Sequence, residues 1–153
     1  MPIVRSGQPL IPTTCRREGM SAGRRLCAVG LSPDSRYLLQ TAEDLHDTLG
    51  AAIQVVHAVP GEEAFPQRLM DREFAAAMRQ GAAREIADLQ RAADTRFDVS
   101  IETGDVAQAV ARYACSAGAD PVLVGRAEDR SRDGLHSHTY GIIRDAPCPV
   151  LSF

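Results

Sequence analysis

The chain has 153 residues, of which 44% are apolar and 24% are charged, enough for one compact domain and too few for two ordinary ones. Tryptophan is absent and aromatic residues make up only 5%, so the core must be aliphatic. All 17 positive side chains are arginine. The absence of lysine excludes P-loop phosphate binding and Schiff-base catalysis.

The net charge of -3 gives no general reason to bind nucleic acid or an anionic membrane, and neither partner is expected. Residues 1–25 carry a net charge of +4, and residues 1–23 show no helical or strand periodicity. We interpret residues 1–23 as a flexible basic extension, more simply a solvated tail than an arm that contacts an acidic partner, and residues 24–153 as the domain. Because no segment resembles a signal peptide or a membrane span, a cytoplasmic location is expected.

The four cysteines have neither CxxC spacing nor the spacing of a metal finger. Small, reduced thiols are therefore expected at all four positions, since a cytosolic disulfide framework would be unusual. The positions are Cys15, Cys27, Cys115 and Cys148.

Strands and helices are predicted to alternate along the chain. Residues 26–30 form a short apolar strand, after which Ser32 is expected to cap a helix that ends at Gly50. Asp105 is expected to cap a later helix that ends at Gly118. The other predicted elements are strands at 51–59, around 99–101, at 121–125 and at 147–153, and helices at about 65–94 and 136–145. Such alternation with short connections predicts a doubly wound α/β fold with parallel strands.

Four segments together carry a family resemblance. LCAVGLSPDS (26–35), IQVVHAV (53–59), ADPVLVG (119–125) and DAPCPVL (145–151) resemble the universal stress protein family over about residues 24–153. The resemblance implies a five-stranded parallel sheet in the order 3-2-1-4-5, of the adenine-nucleotide alpha hydrolase-like type, with helices on both faces. It also implies a ligand cleft above the carboxyl ends of the first and fourth strands, the topological switch point of such a sheet.

Nucleotide-binding members of the family place an aspartate at the end of the first strand and a glycine-rich phosphate loop after the fourth. Here Gly125 and Ser137 match the loop pattern, whereas Glu128 and His136 replace two of its glycines. Gly30 stands where the resemblance places the adenine-facing aspartate. Losing that acceptor costs about 1–3 kcal/mol, a factor of about 5 to 150 in affinity. ATP therefore remains a possible ligand but a disfavoured one, and no cofactor is assigned.

The cleft predicted from this resemblance comprises ten residues. His136 and His138 with Arg126, Arg130 and Arg132 would suit an anion. Three acidic residues in the same loop equal these arginines in number, which also suits a self-paired loop. Two histidines spaced two apart on a helix face different directions, so no metal site is predicted, and no catalytic residue is assigned. The ten residues of the predicted cleft are Gly30, Leu31, Ser32, Val56, Val124, Gly125, Arg126, His136, Ser137 and His138.

The last strand is expected to lie at an edge of the sheet, with one row of backbone groups unpaired. We expect a homodimer formed through this strand, by Cys148, Pro149, Val150, Leu151, Ser152 and Phe153. The favoured function is a non-enzymatic stress-response or signalling module that acts by dimerisation and by binding an unidentified protein partner or a small ligand. The alternative is an ATP-binding family member that hydrolyses ATP slowly.

Overall fold

The computed structural model describes residues 23–61, 64, 72–125 and 136–153 of the chain. Within these ranges five strands and four helices alternate: β1 (Arg24–Ala28), α1 (Ser35–Leu49), β2 (Ile53–Val59), α2 (Arg72–Ala93), β3 (Asp98–Thr103), α3 (Val106–Ala117), β4 (Ala119–Val124), α4 (His136–Asp145) and β5 (Val150–Ser152). All strand pairs are parallel, and the sheet order is β3-β2-β1-β4-β5. The predicted fold class and strand order are confirmed.

Helix ends follow the sequence signals in most cases. Gly50 and Gly118 both adopt a left-handed conformation with φ 64°, which lets their backbone N–H groups bond back to the preceding turn of α1 and α3. Asp105 caps α3 by accepting a hydrogen bond from the backbone of Gln108 at 3.1 Å. These three predictions are confirmed.

The start of α1 differs from the expectation. The helix begins at Ser35, and Asp34 occupies the N-cap position without a side-chain hydrogen bond. Before it, the backbone N–H of Ser35 bonds the carbonyl of Ser32 at 3.0 Å, closing a tight turn through Pro33. The expected cap at Ser32 is therefore wrong, because residues 32–34 form this turn and do not yet belong to the helix.

Two hydrophobic layers hold helices against opposite faces of the sheet. Residues such as Cys27, Val55 and Leu123 pack against α1 and α2, while their neighbours, such as Leu26 and Val122, pack against α3 and α4. This alternation is the period of two expected of strands that are covered on both faces. The helices thus lie on both faces of the sheet, and the core is aliphatic.

The remaining expectations concern segments with mixed outcomes. β5 covers only three residues, shorter than the predicted strand at 147–153. The first part of the predicted helix at 65–94 lies outside the described residues, as do residues 1–22, which include Cys15.

Cys27 is a buried free thiol, but Cys115 is disulfide-bonded, so the expectation of a reduced thiol is wrong there. Among the described helices, none is long and apolar enough to cross a membrane.

Candidate functional site

The carboxyl ends of β1 and β4 lie side by side at the centre of the sheet. Ala28 pairs with Val124 in the last register of these two strands, so the backbone after each strand leaves the sheet at the same edge. Gly30 follows β1 and Gly125 follows β4. The chain after β1 turns into α1 on one face, while that after β4 leads to α4 on the other. This is the switch point at which open α/β sheets bind ligands.

Two side-chain hydrogen bonds fix the backbone after β1. The Ser35 hydroxyl donates to the carbonyl of Gly30 at 2.8 Å, which ties the start of α1 to the end of the strand. His57 of β2 lies 2.7 Å from the carbonyl of Val29 through its Nδ1 atom. Because a carbonyl only accepts hydrogen bonds, Nδ1 carries the proton and donates. Both contacts restrain the loop that would line a ligand site.

A Cβ at position 30 would make no close contact. A Cβ built there would have the Ser35 Oγ as its nearest neighbour, at 3.8 Å, which is ordinary van der Waals contact. A Cβ at Gly125 would lie 3.8 Å from a methyl group of Leu38. Neither residue is among the glycines with positive φ. Backbone strain therefore does not explain glycine at either position, and a Cβ fits at both.

The structure brings together only part of the predicted cleft. Gly30, Leu31 and Ser32 are exposed beside Gly125 at the switch point. The side chains of Val56 and Val124 are instead buried in the layer beneath α3 and α4, so they reach this edge only through their backbones. Arg126 and Glu128 lie outside the described residues.

The predicted histidine cluster at the start of α4 is described only in part. His136 and Ser137 begin this helix, but their side chains fall outside the description. His138 is exposed. The anion site suggested for this cluster and residues 126–134 therefore stays a prediction.

Sequence reasoning did not include Ser35 or His57 in the predicted cleft. The sequence favoured a hydrogen-bonded position in the core or cleft wall for His57 over a role as a base, and its half-buried ring has a backbone partner. Ser35 carries no signal in the sequence beyond its place near a helix start. Its partner is the carbonyl of a glycine five residues earlier, and no capping rule predicts that contact.

Two clefts of the described structure lie away from the switch point. One, of about 320 Å³, lies beside the amino ends of β2 and β3 and is lined by Glu43, His46, Ala52, Ile53, Arg96, Phe97 and Asp98. The other, of about 330 Å³, lies between α1 and α2. Within the described ranges, no group of three or more His, Cys, Asp or Glu side chains could hold a metal ion.

The fold defines a doubly wound α/β protein whose switch point lies between the carboxyl ends of β1 and β4. A family model described as "Universal stress protein family" matches residues 23–153, and the chain belongs to that family. No curated protein matches the sequence. Members of the family are generally not enzymes, some bind ATP, and homodimers are common among them.

Solved structures agree with this assignment. The universal stress protein UspA from Lactobacillus plantarum is 17% identical with a TM-score of 0.68, and the match covers 88% of this chain and 99% of that one. A universal stress protein in complex with cAMP is 20% identical with a TM-score of 0.59, covering 86% and 97%. One from Archaeoglobus fulgidus in complex with dAMP is 17% identical with a TM-score of 0.58, covering 85% and 96%. At these identities the likeness establishes the fold alone.

Proposed function

We propose that this protein is a non-enzymatic, homodimeric stress-response module that binds a partner or small ligand at the switch point and does not bind ATP tightly. The observation that carries the proposal is the empty position at Gly30. The side chain that would accept a hydrogen bond from adenine is missing there, although the backbone leaves room for one. The missing acceptor is therefore a chemical difference between this site and a nucleotide site of the family.

Adenine nucleotides occupy two related structures, which are complexes with cAMP and with dAMP. The same ligand class is the natural starting point for this chain, because the switch point is present and Gly125 matches the family's pattern there. The departures from the family's pattern at Gly30, Glu128 and His136 all act against tight binding. A carboxylate in a phosphate loop repels a triphosphate, and a side chain in place of glycine obstructs close approach of the backbone.

The homodimer is supported by the edge position of β5. Phe153 donates its backbone N–H to the carbonyl of Val124, and the carbonyl of Pro149 accepts from the N–H of Val122. Because successive residues of a strand face opposite sides, Val150 and Ser152 direct their backbone N–H and C=O groups away from the sheet. No hydrogen bond in the described part of the chain uses these outward groups of Val150 and Ser152. A second copy can pair with them in antiparallel orientation about a two-fold axis.

Calorimetric titration tests the ligand part of the proposal. The unsubstituted protein should bind ATP more weakly than about 1 µM, a standard free energy of about -8.2 kcal/mol. Gly30→Asp should tighten the binding of both AMP and ATP by a factor of about 5 to 150, because one acceptor is restored. Gly30→Ala adds the same Cβ without the acceptor and is the matched control.

The outcomes separate the two functions. Submicromolar ATP binding by the unsubstituted protein, with slow release of phosphate, would establish the ATP-binding alternative and overturn the proposal. Equal gains for AMP and ATP in Gly30→Asp would locate the effect at the adenine. A gain in Gly30→Ala as large as in Gly30→Asp would contradict the assigned role of the missing carboxylate.

A further inference from the structure

The sheet has a second edge, formed by β3, which is twice as long as β5. Gly104, just after β3, donates its N–H to the carbonyl of Val59 at 2.9 Å, so every second residue of β3 directs its backbone N–H and C=O groups toward β2. Val99, Ile101 and Thr103 therefore direct their N–H and C=O groups away from the sheet. By length alone, with six residues against three, this edge would be the better template for another strand.

Two arginines from different helices occupy two of the three outward carbonyls of β3, those of Ile101 and Thr103. Arg79 of α2 donates to the carbonyl of Ile101 at 2.9 Å, and Arg112 of α3 donates to the carbonyl of Thr103 at 3.2 Å. These helices lie on opposite faces of the sheet, so the two side chains reach the same edge from both sides. Each guanidinium group occupies a place that an N–H of an added strand would need.

The β5 edge has no such covering in the described structure. Its outward groups belong to Val150 and Ser152, and no arginine or other side chain among the described residues donates to their carbonyls. Its exposed neighbours Leu151 and Phe153 are apolar. Among the described residues the two edges thus differ in chemistry: arginines bond carbonyls of β3, whereas the outward backbone groups of β5 have no partner and lie beside apolar side chains.

We propose that Arg79 and Arg112 close the β3 edge to strand addition, so that copies of this chain pair through β5 alone and assembly stops at two. Closure of β3 stands independently of the dimer, whereas the limit of two rests on the proposed β5 contact. An added strand would have to displace two charged hydrogen bonds and desolvate both guanidinium groups. A sheet with two open edges would instead extend copy after copy.

The test is the oligomeric state of Arg79→Ala/Arg112→Ala, measured by sedimentation velocity across a dilution series. We expect a concentration-dependent rise in mass to about twice that of the unsubstituted protein or beyond, because both edges now accept a strand. Arg36→Ala/Arg84→Ala is the matched control, since it removes two exposed arginines, one from α1 and one from α2, neither of which bonds a β3 carbonyl in the described structure. That control should keep the mass of the unsubstituted protein.

Adding Val99→Lys to Arg79→Ala/Arg112→Ala, the edge variant, should restore the mass of the unsubstituted protein, because a lysine on an edge strand blocks pairing. A folded edge variant with unchanged mass would overturn the proposal. If the double variant does not fold, Arg79→Ala and Arg112→Ala each expose one carbonyl, and each should show a rise in mass at higher protein concentration, since one of the two blocks is removed. If the unsubstituted protein is monomeric, the proposed β5 dimer is wrong. The masses of the edge variant and of its control still test the closure of β3.

Discussion

The hydroxyl of Ser35 donates a hydrogen bond to the carbonyl oxygen of Gly30 at 2.8 Å, and this contact joins the end of β1 to the start of α1. Ser35 is buried although it is the first residue of the helix. Asp34 makes no capping bond, so the side chain of Ser35 anchors the start of α1 in place of a conventional cap. The loop after β1 at the switch point is thus held by a residue that was not part of the predicted cleft.

Ser35→Ala should lower the free energy of unfolding by about 0.5–1.5 kcal/mol, the usual contribution of one hydrogen bond. The matched control in the same helix is Thr41→Ala. The exposed hydroxyl of Thr41 bonds the carbonyl of Tyr37 at 2.9 Å, and its loss should change stability by no more than about 0.5 kcal/mol. Urea unfolding at constant m value measures both. Equal effects of the two changes would contradict the anchoring role of Ser35.

The sequence predicted the fold well because its signals are local. Gly50 and Gly118 mark helix ends, since a left-handed conformation at that position favours glycine. Asp105 is a regular cap. The cap at Ser32 was wrong because Pro33 suits both a first helical turn and the preceding tight turn, and the sequence does not distinguish the two.

The site was less predictable than the fold. Gly30 and Gly125 were placed at the correct edge, because strand order alone brings the ends of β1 and β4 together. Val56 and Val124 were assigned to the cleft, yet both side chains are buried under α3 and α4. Which face of a strand a residue occupies depends on the register of the whole sheet. A strand that is buried on both faces carries no alternation to indicate it.

Gly141→Ala should destabilise the protein by about 1–3 kcal/mol, the range for an overpacked core. A Cβ built at Gly141 in α4 would lie 2.8 Å from the Cβ of Ala107 in α3, so the two helices would have to move apart. Gly81→Ala is the control of opposite sign. Nothing lies within 4 Å of a Cβ built at Gly81 in α2, and the change should stabilise by about 0.5–1 kcal/mol. Thermal unfolding of both variants checks the prediction, and a stabilised Gly141→Ala would refute it.

Cys27 should make stability fall at alkaline pH. Burial raises the pKa of its thiol from an ordinary 9.0 to about 12, so the folded protein keeps the proton while the unfolded chain releases it. The contribution is constant below pH 9, and the free energy of unfolding then declines toward pH 12 by up to about 1.4 kcal/mol per pH unit. Unfolding should be measured between pH 8 and pH 11 for the unsubstituted protein and for Cys27→Ala, which lacks this thiol. Parallel curves for the two proteins would show that Cys27 does not titrate as described.

Leu151→Lys should shift the protein from dimer to monomer, whereas Val99→Lys should not. If a two-fold axis pairs the outward groups of Val150 with those of Ser152 in a second copy, each Leu151 faces its own copy across the axis. Two lysines would then lie directly opposite one another, and like charges in that position destabilise strand pairing. Val99 is the matched control, because it is an apolar residue of the other edge strand with a similar exposed fraction, 38% against 43% for Leu151. Light scattering should give a mass of twice 16.5 kDa for Val99→Lys and of 16.5 kDa for Leu151→Lys. A dimer that survives Leu151→Lys but dissociates on Val99→Lys would place the contact at β3 and overturn both the proposed dimer and the closure of that edge.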